Sequence, residues 1–258
     1  MKSVLRSAVP LLLSCLPLAA ALPDDTAYTA LLRQHVREGL VDYAALKGDV
    51  RLDAYLGQIA ATDPAAFPSA KARFAYWINA YNAYTLKLVA EHYPISSIND
   101  LATGGRYAAQ LIGKTPWDIR FADAGGRKLT LNEIEHEILR KEFKDARLHF
   151  AIVCAALSCP ILRSEAYVPE RLDEQLDLQG RWFFRWRNRF DPETKQATLS
   201  KIFDWFAEDF GANQTELLRF VAAYAPAPIA ASLSAEPEKW KLNYTFYDWG
   251  LNERRAQP

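Results

Sequence analysis

The feature that most constrains this chain is a long apolar segment, "FAYWINAYNAYTLKLVA", which covers Phe74–Ala90. Lys87 is the only charged residue within it, and the helical pattern runs over Ser69–Tyr93 until Pro94 ends it. A helix that is apolar around most of its circumference is buried on most sides. We therefore predict a helix that lies inside the core of a globular fold.

Shorter segments on either side of this helix predict a mixture of helices and strands. Helical patterns cover 26–38, 49–61 and about 170–189, and further helices are expected over 202–224. The segment "WDIRFADAGGRKLTL" predicts a hairpin that turns at Gly125–Gly126, whereas "RLHFAIVC" and "WKLNYTFYD" predict a short buried strand and a terminal strand. Because helices come first and strands are interspersed later, the expected class is α+β, with a helical N-terminal part packed on a small, mostly antiparallel sheet.

The totals are those of a globular protein without a charge bias. The 258 residues include 31 Lys and Arg and 31 Asp and Glu, so the net charge is near zero. A neutral balance gives no electrostatic reason to expect nucleic acid as a partner. Since no linker-like tract interrupts the chain after residue 26, we expect a single globular domain over 22–258.

The N-terminus has the pattern of a secretory signal peptide over residues 1–21. A basic "MKSVLR" precedes the apolar "AVPLLLSCLPLAAA", and small residues then lead into "LPDD", which predicts cleavage after Ala21. The apolar run is too short to span a membrane. The prediction is a periplasmic or secreted protein; as an alternative, "LLSC" ending at Cys15 matches a lipoprotein signal, and a lipid on Cys15 would anchor the chain to a membrane.

Two asparagines interrupt the apolar surface of the long helix. Asn79 and Asn82 are three residues apart and therefore share one face. A buried amide left without partners costs about 1–3 kcal/mol, so each of the two should be hydrogen-bonded. They either tie the helix to neighbouring loops, or one of them lines a site and orients a base or a substrate carbonyl group.

The segment "LTLNEIEHEILR" carries two candidate site residues. Thr130–Glu133 forms a capping box that begins a helix to about Glu142, which explains Glu133 without any chemistry. His136 follows inside that helix. The helix rises about 9 Å from His136 to its end, and the strand predicted after it would return about 20 Å to Cys154. The histidine and the cysteine are therefore expected at one edge of the molecule.

The segment "HFAIVCAALSCPIL" places His149 before two cysteines, Cys154 and Cys159. An oxidising compartment favours a disulfide between them. Pro160 can begin a helical turn after Cys159, and a helix N-terminus lowers the pKa of a thiol, which suits a nucleophile. Zinc is a third alternative because two cysteines and two histidines make a tetrahedral set, although the paired spacings of zinc sites are absent.

The order of these residues along the chain limits the possible mechanisms. His149 precedes Cys154 by five positions, so on a regular strand the two side chains would face opposite sides. All four histidines precede Cys154, which excludes a thiol protease with the cysteine first and the histidine later. A Cys–His hydrolase would need the reversed, permuted order, and this remains open because geometry defines such a site.

Six successive blocks of the chain resemble the domain-of-unknown-function family 547. They are "YAALKGDVRLDAYL", "FAYWINAYNAYTLKLVAEHYPISSI", "KLTLNEIEHEILR", "HFAIVCAALSCPILRSEAY", "LSKIFDWFAEDF" and "YDWGLN", and together they span roughly Tyr28–Asn252. The cysteines match the family pattern, whereas Val153 stands where asparagine is common and Ser158 where glycine is common. The resemblance implies a fold family shared with many exported bacterial proteins, and it implies no particular activity.

Two hypotheses follow from these observations. The first is a thiol-dependent hydrolase or acyl transferase with a permuted papain- or transglutaminase-like arrangement, acting without cofactor or metal on a small molecule or peptide. The second is a non-enzymatic module that binds a ligand or partner, with a structural disulfide between the two cysteines. In the enzyme, six side chains would form the site: Cys154 or Cys159 as nucleophile, His136 as general base, Asn79 or Glu133 as orienting group, and His149 as a secondary candidate.

Overall fold

The long apolar helix lies at the centre of the fold, as its sequence predicts. The structure is a computed structural model that describes residues 22–102 and 114–254. The helix, α4, covers Ala70–His92 and begins at Ser69, whose side chain accepts a hydrogen bond from the Ala72 backbone. Nearly all side chains between Phe74 and Ala90 are buried. The predicted signal peptide and Cys15 lie outside the described residues.

Short helices and a small hairpin precede α4, and aspartates cap them. The side chains of Asp24, Asp42 and Asp49 accept backbone hydrogen bonds at the starts of α1, α2 and α3, which is the usual function of aspartate at an N-cap. The elements in chain order are α1 (Asp25–His35), β1 (Val36–Arg37), β2 (Leu40–Val41), α2 (Tyr43–Leu46), α3 (Val50–Ala61) and a 3-10 turn (Pro64–Ala66).

After α4, a second hairpin leads into the helix that carries His136. The hairpin turns at Gly125 and Gly126, which both have positive φ angles of 59° and 69°, as predicted from the glycine pair. The elements are two 3-10 turns (Ile98–Leu101 and Pro116–Asp118), β3 (Ala122–Ala124), β4 (Arg127–Leu129), α5 (Glu133–Phe143), wound with the wider π-helical turn, and α6 (Leu148–Ala151).

The C-terminal part combines helices with a three-stranded sheet in the order β5-β6-β7, in which β5 and β6 are antiparallel and β6 and β7 are parallel. The elements are α7 (Leu172–Arg187), β5 (Arg189–Asp191), β6 (Gln196–Leu199), α8 (Ile202–Trp205), α9 (Ala207–Phe210), α10 (Gln214–Ala222), α11 (Ala227–Ala235), a 3-10 turn (Pro237–Lys239) and β7 (Lys241–Tyr244). Mainly helical elements with small, mostly antiparallel sheets confirm the α+β class; the more specific permuted papain- or transglutaminase-like arrangement stays a prediction.

One buried apolar cluster contains side chains from all of these regions. Within the described part of the chain, no helix is both long and apolar enough to cross a membrane. The domain boundaries drawn from the sequence stay a prediction.

The buried strand predicted for "RLHFAIVC" is wrong. Leu148–Ala151 forms the helical turn α6, and the chain becomes extended only from Ile152. The turn begins at Asp145, whose side chain accepts a hydrogen bond from the Arg147 backbone at 2.9 Å. A short apolar run has the same composition in a buried helix and in a buried strand, so its periodicity alone does not distinguish them. His149 and Cys154 are therefore not held on opposite faces of a strand.

Candidate functional site

A pocket of about 170 Å³ opens beside the two cysteines. It brings together four of the six predicted site residues, namely Cys154, Cys159, His136 and His149. His149 reaches the pocket from the helical turn α6 and not from the predicted strand. The remaining lining side chains come from the helices α4, α5 and α8 and from the turns and loops around them. They are Tyr81, Trp117, Asn132, Glu135, Ile152, Pro160, Ile202, Trp205, Phe206, Tyr247 and Trp249.

The cysteine loop, residues 153–160, is attached to the central helix through Asn82. The amide oxygen of Asn82 accepts a hydrogen bond from the Val153 backbone N–H at 3.0 Å, and its NH2 group donates to the Ala151 carbonyl oxygen at 2.9 Å. Asn79 makes the equivalent pair of bonds with the backbone of Tyr167 at 2.9 and 2.8 Å. Both asparagines therefore tie α4 to loops, as the structural interpretation expects, and only Asn82 holds the loop that carries the thiols.

The C-terminal segment, residues 245–252, runs along the other side of the cysteine loop. The Leu157 N–H donates to the Gly250 carbonyl oxygen at 2.8 Å, and the Ser158 N–H donates to the Asp248 carbonyl oxygen at 3.1 Å. The hydroxyl of Ser158 accepts a hydrogen bond from the Asp248 N–H at 2.8 Å, which gives the serine at this position a structural function. These bonds bring the Tyr247 side chain into the pocket.

The side chains of Cys154 and Cys159 face one another as free thiols, without a disulfide bond between them. Cys154 Sγ lies 2.8 Å from Cys159 Sγ, and the Cys154 backbone N–H donates to Cys159 Sγ at 2.9 Å. The hydroxyl of Tyr247 lies 3.1 Å from Cys154 Sγ. Cys159 is buried in the pocket wall and Cys154 is partly exposed.

The pKa values of the two thiols are shifted in opposite directions by their surroundings. Burial acts to raise the pKa of Cys159, but hydrogen bonds from the Cys154 side chain, the Cys154 backbone and the Tyr247 hydroxyl outweigh it and hold the pKa below the ordinary thiol value. Burial and the neighbouring Cys159 raise the pKa of Cys154 well above that value. These donors therefore favour ionisation of Cys159 over ionisation of Cys154.

Arg140 fixes the orientation of the His136 imidazole. Arg140 Nη1 donates to His136 Nδ1 at 3.0 Å, so Nδ1 is the acceptor and the ring proton is on Nε2. Burial, together with the positive charge of Arg140, lowers the pKa of His136 below its usual value. His136 is therefore neutral near pH 7, which is the state that a general base requires.

His149 is held by a carboxylate. Its Nε2 donates to Asp209 Oδ2 at 2.6 Å, and its ring stacks on Phe206 with 4.2 Å between the ring centroids. Asp209 also accepts two hydrogen bonds from Arg140, at 2.6 and 3.0 Å. Burial would raise the pKa of Asp209, but these partners lower it to about 2. His136 and His149 are consequently positioned by one connected network.

Glu135 lines the pocket and was not among the predicted site residues. Burial raises the pKa of its carboxyl group to about 7, and the hydroxyl of Tyr81 donates to Oε2 at 3.2 Å. A signal for it exists in the sequence: Glu135 continues the apolar stripe of Leu131, Ile134 and Ile138 at helical spacing, so it occupies a core-facing position. A carboxyl group at such a position is a candidate for acid–base chemistry.

Aromatic side chains form one wall of the pocket, which we call the aromatic wall. The ring centroids of Tyr247 and Trp249 are 4.7 Å apart, and Trp205 lies 4.7 Å from Tyr247. Trp117 packs against Trp249 at 5.8 Å. The sequence offered no reason to bring these four residues together, because they come from three distant parts of the chain.

Two predicted site residues lie away from the pocket. Asn79 contacts Tyr167 and the Asp25 carboxylate. Glu133 completes the predicted capping box, with hydrogen bonds to and from Thr130 at 2.8 and 3.0 Å, and it pairs with Arg120 at 2.5 Å. The orienting function proposed for either residue stays a prediction that their positions do not favour.

Although two cysteines and two histidines line this pocket, their arrangement does not form a metal site among the described residues. In the described ranges, 22–102 and 114–254, no group of three or more His, Cys, Asp and Glu side chains is placed to hold a metal ion. The zinc alternative therefore finds no ligand set among the residues on which it depended.

The fold and the site define an α+β protein with a dithiol pocket, and one comparison with known proteins finds a family resemblance over part of the chain. Residues 66–184 match the model of the family described as "Protein of unknown function, DUF547". This match confirms the resemblance found in the sequence, over a segment that contains both cysteines, His136 and His149. A comparison with curated proteins found no match, and neither did a comparison with solved structures.

Proposed function

We propose that this protein is an exported, thiol-dependent hydrolase or acyl transferase in which Cys159 is the nucleophile. The observation that carries the proposal is the hydrogen bond that Cys159 Sγ accepts from the Cys154 backbone N–H at 2.9 Å, with Cys154 Sγ also in contact at 2.8 Å. Donors that stabilise a thiolate increase the fraction of the nucleophilic form. The sulfur lies in the wall of a pocket that can admit an acyl group.

In the first step, the Cys159 thiolate attacks the carbonyl carbon of an ester or thioester. A C–S bond forms, the bond to the leaving oxygen or sulfur breaks, and an acyl-enzyme results. An activated acyl group suits this pocket, because its leaving group departs as an anion and needs no proton from the neutral His136. Cys154 keeps its proton and moves its hydrogen bond from the thiolate to solvent or substrate.

In the second step, His136 acts as the general base. Its pKa is lowered by burial, so the ring accepts a proton from an attacking water or other acceptor, and the carbonyl carbon then releases Cys159 as a thiolate. Arg140 takes the orienting function that the sequence assigned to Asn79 or Glu133. The base precedes the nucleophile in the chain, which is the permuted order.

The sequence expectation of export forms part of this proposal, and periplasm or medium is the expected location. Alkylation by iodoacetamide of protein recovered from its native compartment tests whether the thiols survive there. Peptide masses identify the modified residue and the N-terminal residue of the mature chain.

Hydrolysis of p-nitrophenyl acetate tests the enzyme directly, because an acetyl group is small enough for the pocket. We expect Cys159→Ser to reduce the release of p-nitrophenolate to the level of the double variant Cys154→Ala, Cys159→Ala. Cys154→Ser is the matched control, since serine can still donate to the Cys159 thiolate, and it should keep measurable turnover. Full turnover by the double variant would remove the proposal.

A second candidate is the non-enzymatic binding module with a Cys154–Cys159 disulfide. It is favoured by the fact that, among the described residues, neither imidazole makes a hydrogen bond with a thiol, whereas the two sulfur atoms adjoin one another. Thiols that resist iodoacetamide until a reductant is added would support this candidate over the enzyme.

A further inference from the structure

The pocket beside the thiols carries acidic groups but no matching cation. Among its described lining residues, Glu135 is a carboxylic acid and Cys159 a candidate thiolate, and none is lysine or arginine. Burial lowers the pKa of both His136 and His149, so neither imidazole supplies a positive charge near pH 7. The described lining of the pocket therefore holds acidic groups and no positively charged side chain to pair with them.

Glu135 is the side chain with unused bonding capacity. Glu135 is only 7% exposed. Within the described ranges, its carboxyl group accepts a hydrogen bond from the Tyr81 hydroxyl and has no ion-pair partner. The guanidinium group whose charge acts on Glu135, that of Arg140, is already paired with Asp209 and Glu208. A buried carboxylate without a cation is costly, so a ligand that supplies one gains affinity.

The aromatic wall favours the same kind of ligand. Three tryptophans and Tyr247 line the pocket that contains Glu135, and the Trp205 ring is 44% exposed. Faces of aromatic rings attract cations, and tryptophan does so most strongly. A carboxyl group at one side and indole rings at another form a site for an alkylammonium group.

We propose, building on the thiol-dependent acyl transfer above, that the acyl acceptor is a primary amine, which enters as its ammonium form and binds to Glu135. The aromatic wall contacts the alkyl stem and the charged end. The protein is then an acyl transferase that forms amides, with hydrolysis as the reaction in the absence of an amine.

The transfer step balances with residues of this pocket. The ammonium gives one proton to the Glu135 carboxylate, and the free amine attacks the carbonyl carbon of the acyl-Cys159 thioester. A C–N bond forms, the C–S bond breaks, and the second proton passes from nitrogen to the neutral His136. Cys159 leaves as a thiolate, and the product is a secondary amide.

The size of the pocket restricts the amine. Its volume is about 170 Å³, close to the roughly 150 Å³ of a cavity that accommodates benzene. A linear amine with a stem of about four carbons, such as n-butylammonium or the end of a lysine side chain, is of that size.

The charge of Glu135 depends on the groups around it. Burial raises its pKa to about 7, the Tyr81 hydrogen bond and the Arg140 charge act to lower it, and Asp209 acts to raise it. The ionised form that attracts an ammonium is therefore the majority form only above about pH 7. Other titratable groups that face the pocket with it are His136, His149, Cys154, Cys159 and Tyr247.

Binding of n-butylammonium, with n-butanol as its neutral counterpart of equal size, tests the proposal without catalysis. Quenching of tryptophan fluorescence in the full chain at pH 8 measures both dissociation constants. We expect the wild-type protein to bind n-butylammonium roughly tenfold more tightly than n-butanol, and Glu135→Gln to abolish that preference while it leaves n-butanol binding unchanged. Equal affinity for the two probes, or an unchanged preference in Glu135→Gln, overturns the proposal.

Two further measurements keep the outcomes distinguishable. If Glu135→Gln does not fold, the preference of the wild-type protein is measured between pH 6 and 8; it should increase with pH, and a preference independent of pH contradicts the assignment. Turnover of p-nitrophenyl acetate with added n-butylamine should yield N-butylacetamide in excess of the amount that direct aminolysis forms in the presence of Cys159→Ser. Ester hydrolysis without any ammonium preference overturns the amine acceptor alone, whereas an ammonium preference without turnover overturns the proposed enzyme alone.

Discussion

The amide oxygen of Asn82 accepts the Val153 N–H at 3.0 Å and so connects the central helix to the loop that carries both thiols. The same side chain donates to the Ala151 carbonyl oxygen at 2.9 Å. This relationship explains how a buried amide that does not line the pocket can determine where the sulfur atoms lie.

Asn82→Ala should therefore destabilise the protein and also disturb the thiols. Loss of the amide leaves a buried N–H and a buried carbonyl oxygen without partners, at a cost of about 1–3 kcal/mol for each. Asn79→Ala is the matched control, since it leaves the backbone of Tyr167 in the same condition. Urea unfolding should show similar losses for both variants, but only Asn82→Ala should slow the reaction of Cys159 with iodoacetamide. Slower reaction in both variants would argue against a specific link.

His136 should set the acidic limb of the activity profile. Because burial lowers its pKa below the usual 6.5, the base form persists to lower pH, and turnover should decline only below pH 6.5. His136→Ala should reduce turnover by about two to four orders of magnitude. His92→Ala is a control at an exposed histidine of α4. Equal effects of the two variants would assign the base elsewhere.

Glu135 should make the protein less stable as pH rises. Its carboxyl pKa is raised from the usual 4.5 to about 7, so the protonated form stabilises the fold at low pH and this contribution is lost as pH rises through 7. One pKa unit corresponds to about 1.4 kcal/mol, so the loss is about 3 kcal/mol. Urea unfolding should find Glu135→Gln more stable than wild type by that amount at pH 8 and equal to it near pH 4.5. A difference that is independent of pH would contradict the burial of an uncompensated carboxyl group.

Asp209 should contribute stability that acid removes. Its pKa is lowered to about 2 by His149 and Arg140 against the effect of burial, so its contribution is present above the usual value of 3.8 and is lost as pH falls toward 2. Asp209→Asn should reduce the free energy of unfolding by about 2 kcal/mol at pH 7, and the gap should narrow toward pH 3. Glu208 pairs with the same arginine, but its side chain is 78% exposed. Glu208→Gln should therefore reduce the free energy of unfolding by less than about 0.5 kcal/mol. Equal losses from the two variants would show that the network is unimportant.

Much of the fold follows from local patterns in the sequence. The central helix, the glycine hairpin and the capping box at Thr130–Glu133 are confirmed, because each depends on residues close together in the chain. The strand predicted before Cys154 is wrong because a short apolar run is compatible with a buried helical turn as well as a strand, and local backbone hydrogen bonds form the turn here. The hairpin of β1 and β2 and the helix α11 carry no periodic signal strong enough to be predicted.

The residues of the site also divide into those that the sequence reveals and those that only the fold brings together. The two cysteines, His136 and His149 could be found from their residue types, and the structure brings them to one pocket. Their partners could not, since Asp209 and Tyr247 come from segments more than 50 residues along the chain from the histidine and the cysteine that they contact. Glu135 had a local signal in the apolar stripe of α5, where a charged residue stands at a buried position.

The most direct test of a Cys159 thiolate in this pocket is its rate of alkylation by iodoacetamide between pH 5 and 9, resolved from that of Cys154 by peptide mass. The reduced protein should be modified first at Cys159, with a midpoint below the ordinary thiol pKa of 9.0, whereas Cys154 should react only at much higher pH. Preferential modification of Cys154, or no modification of either thiol across this range, would show that Cys159 is not the thiolate of this pocket.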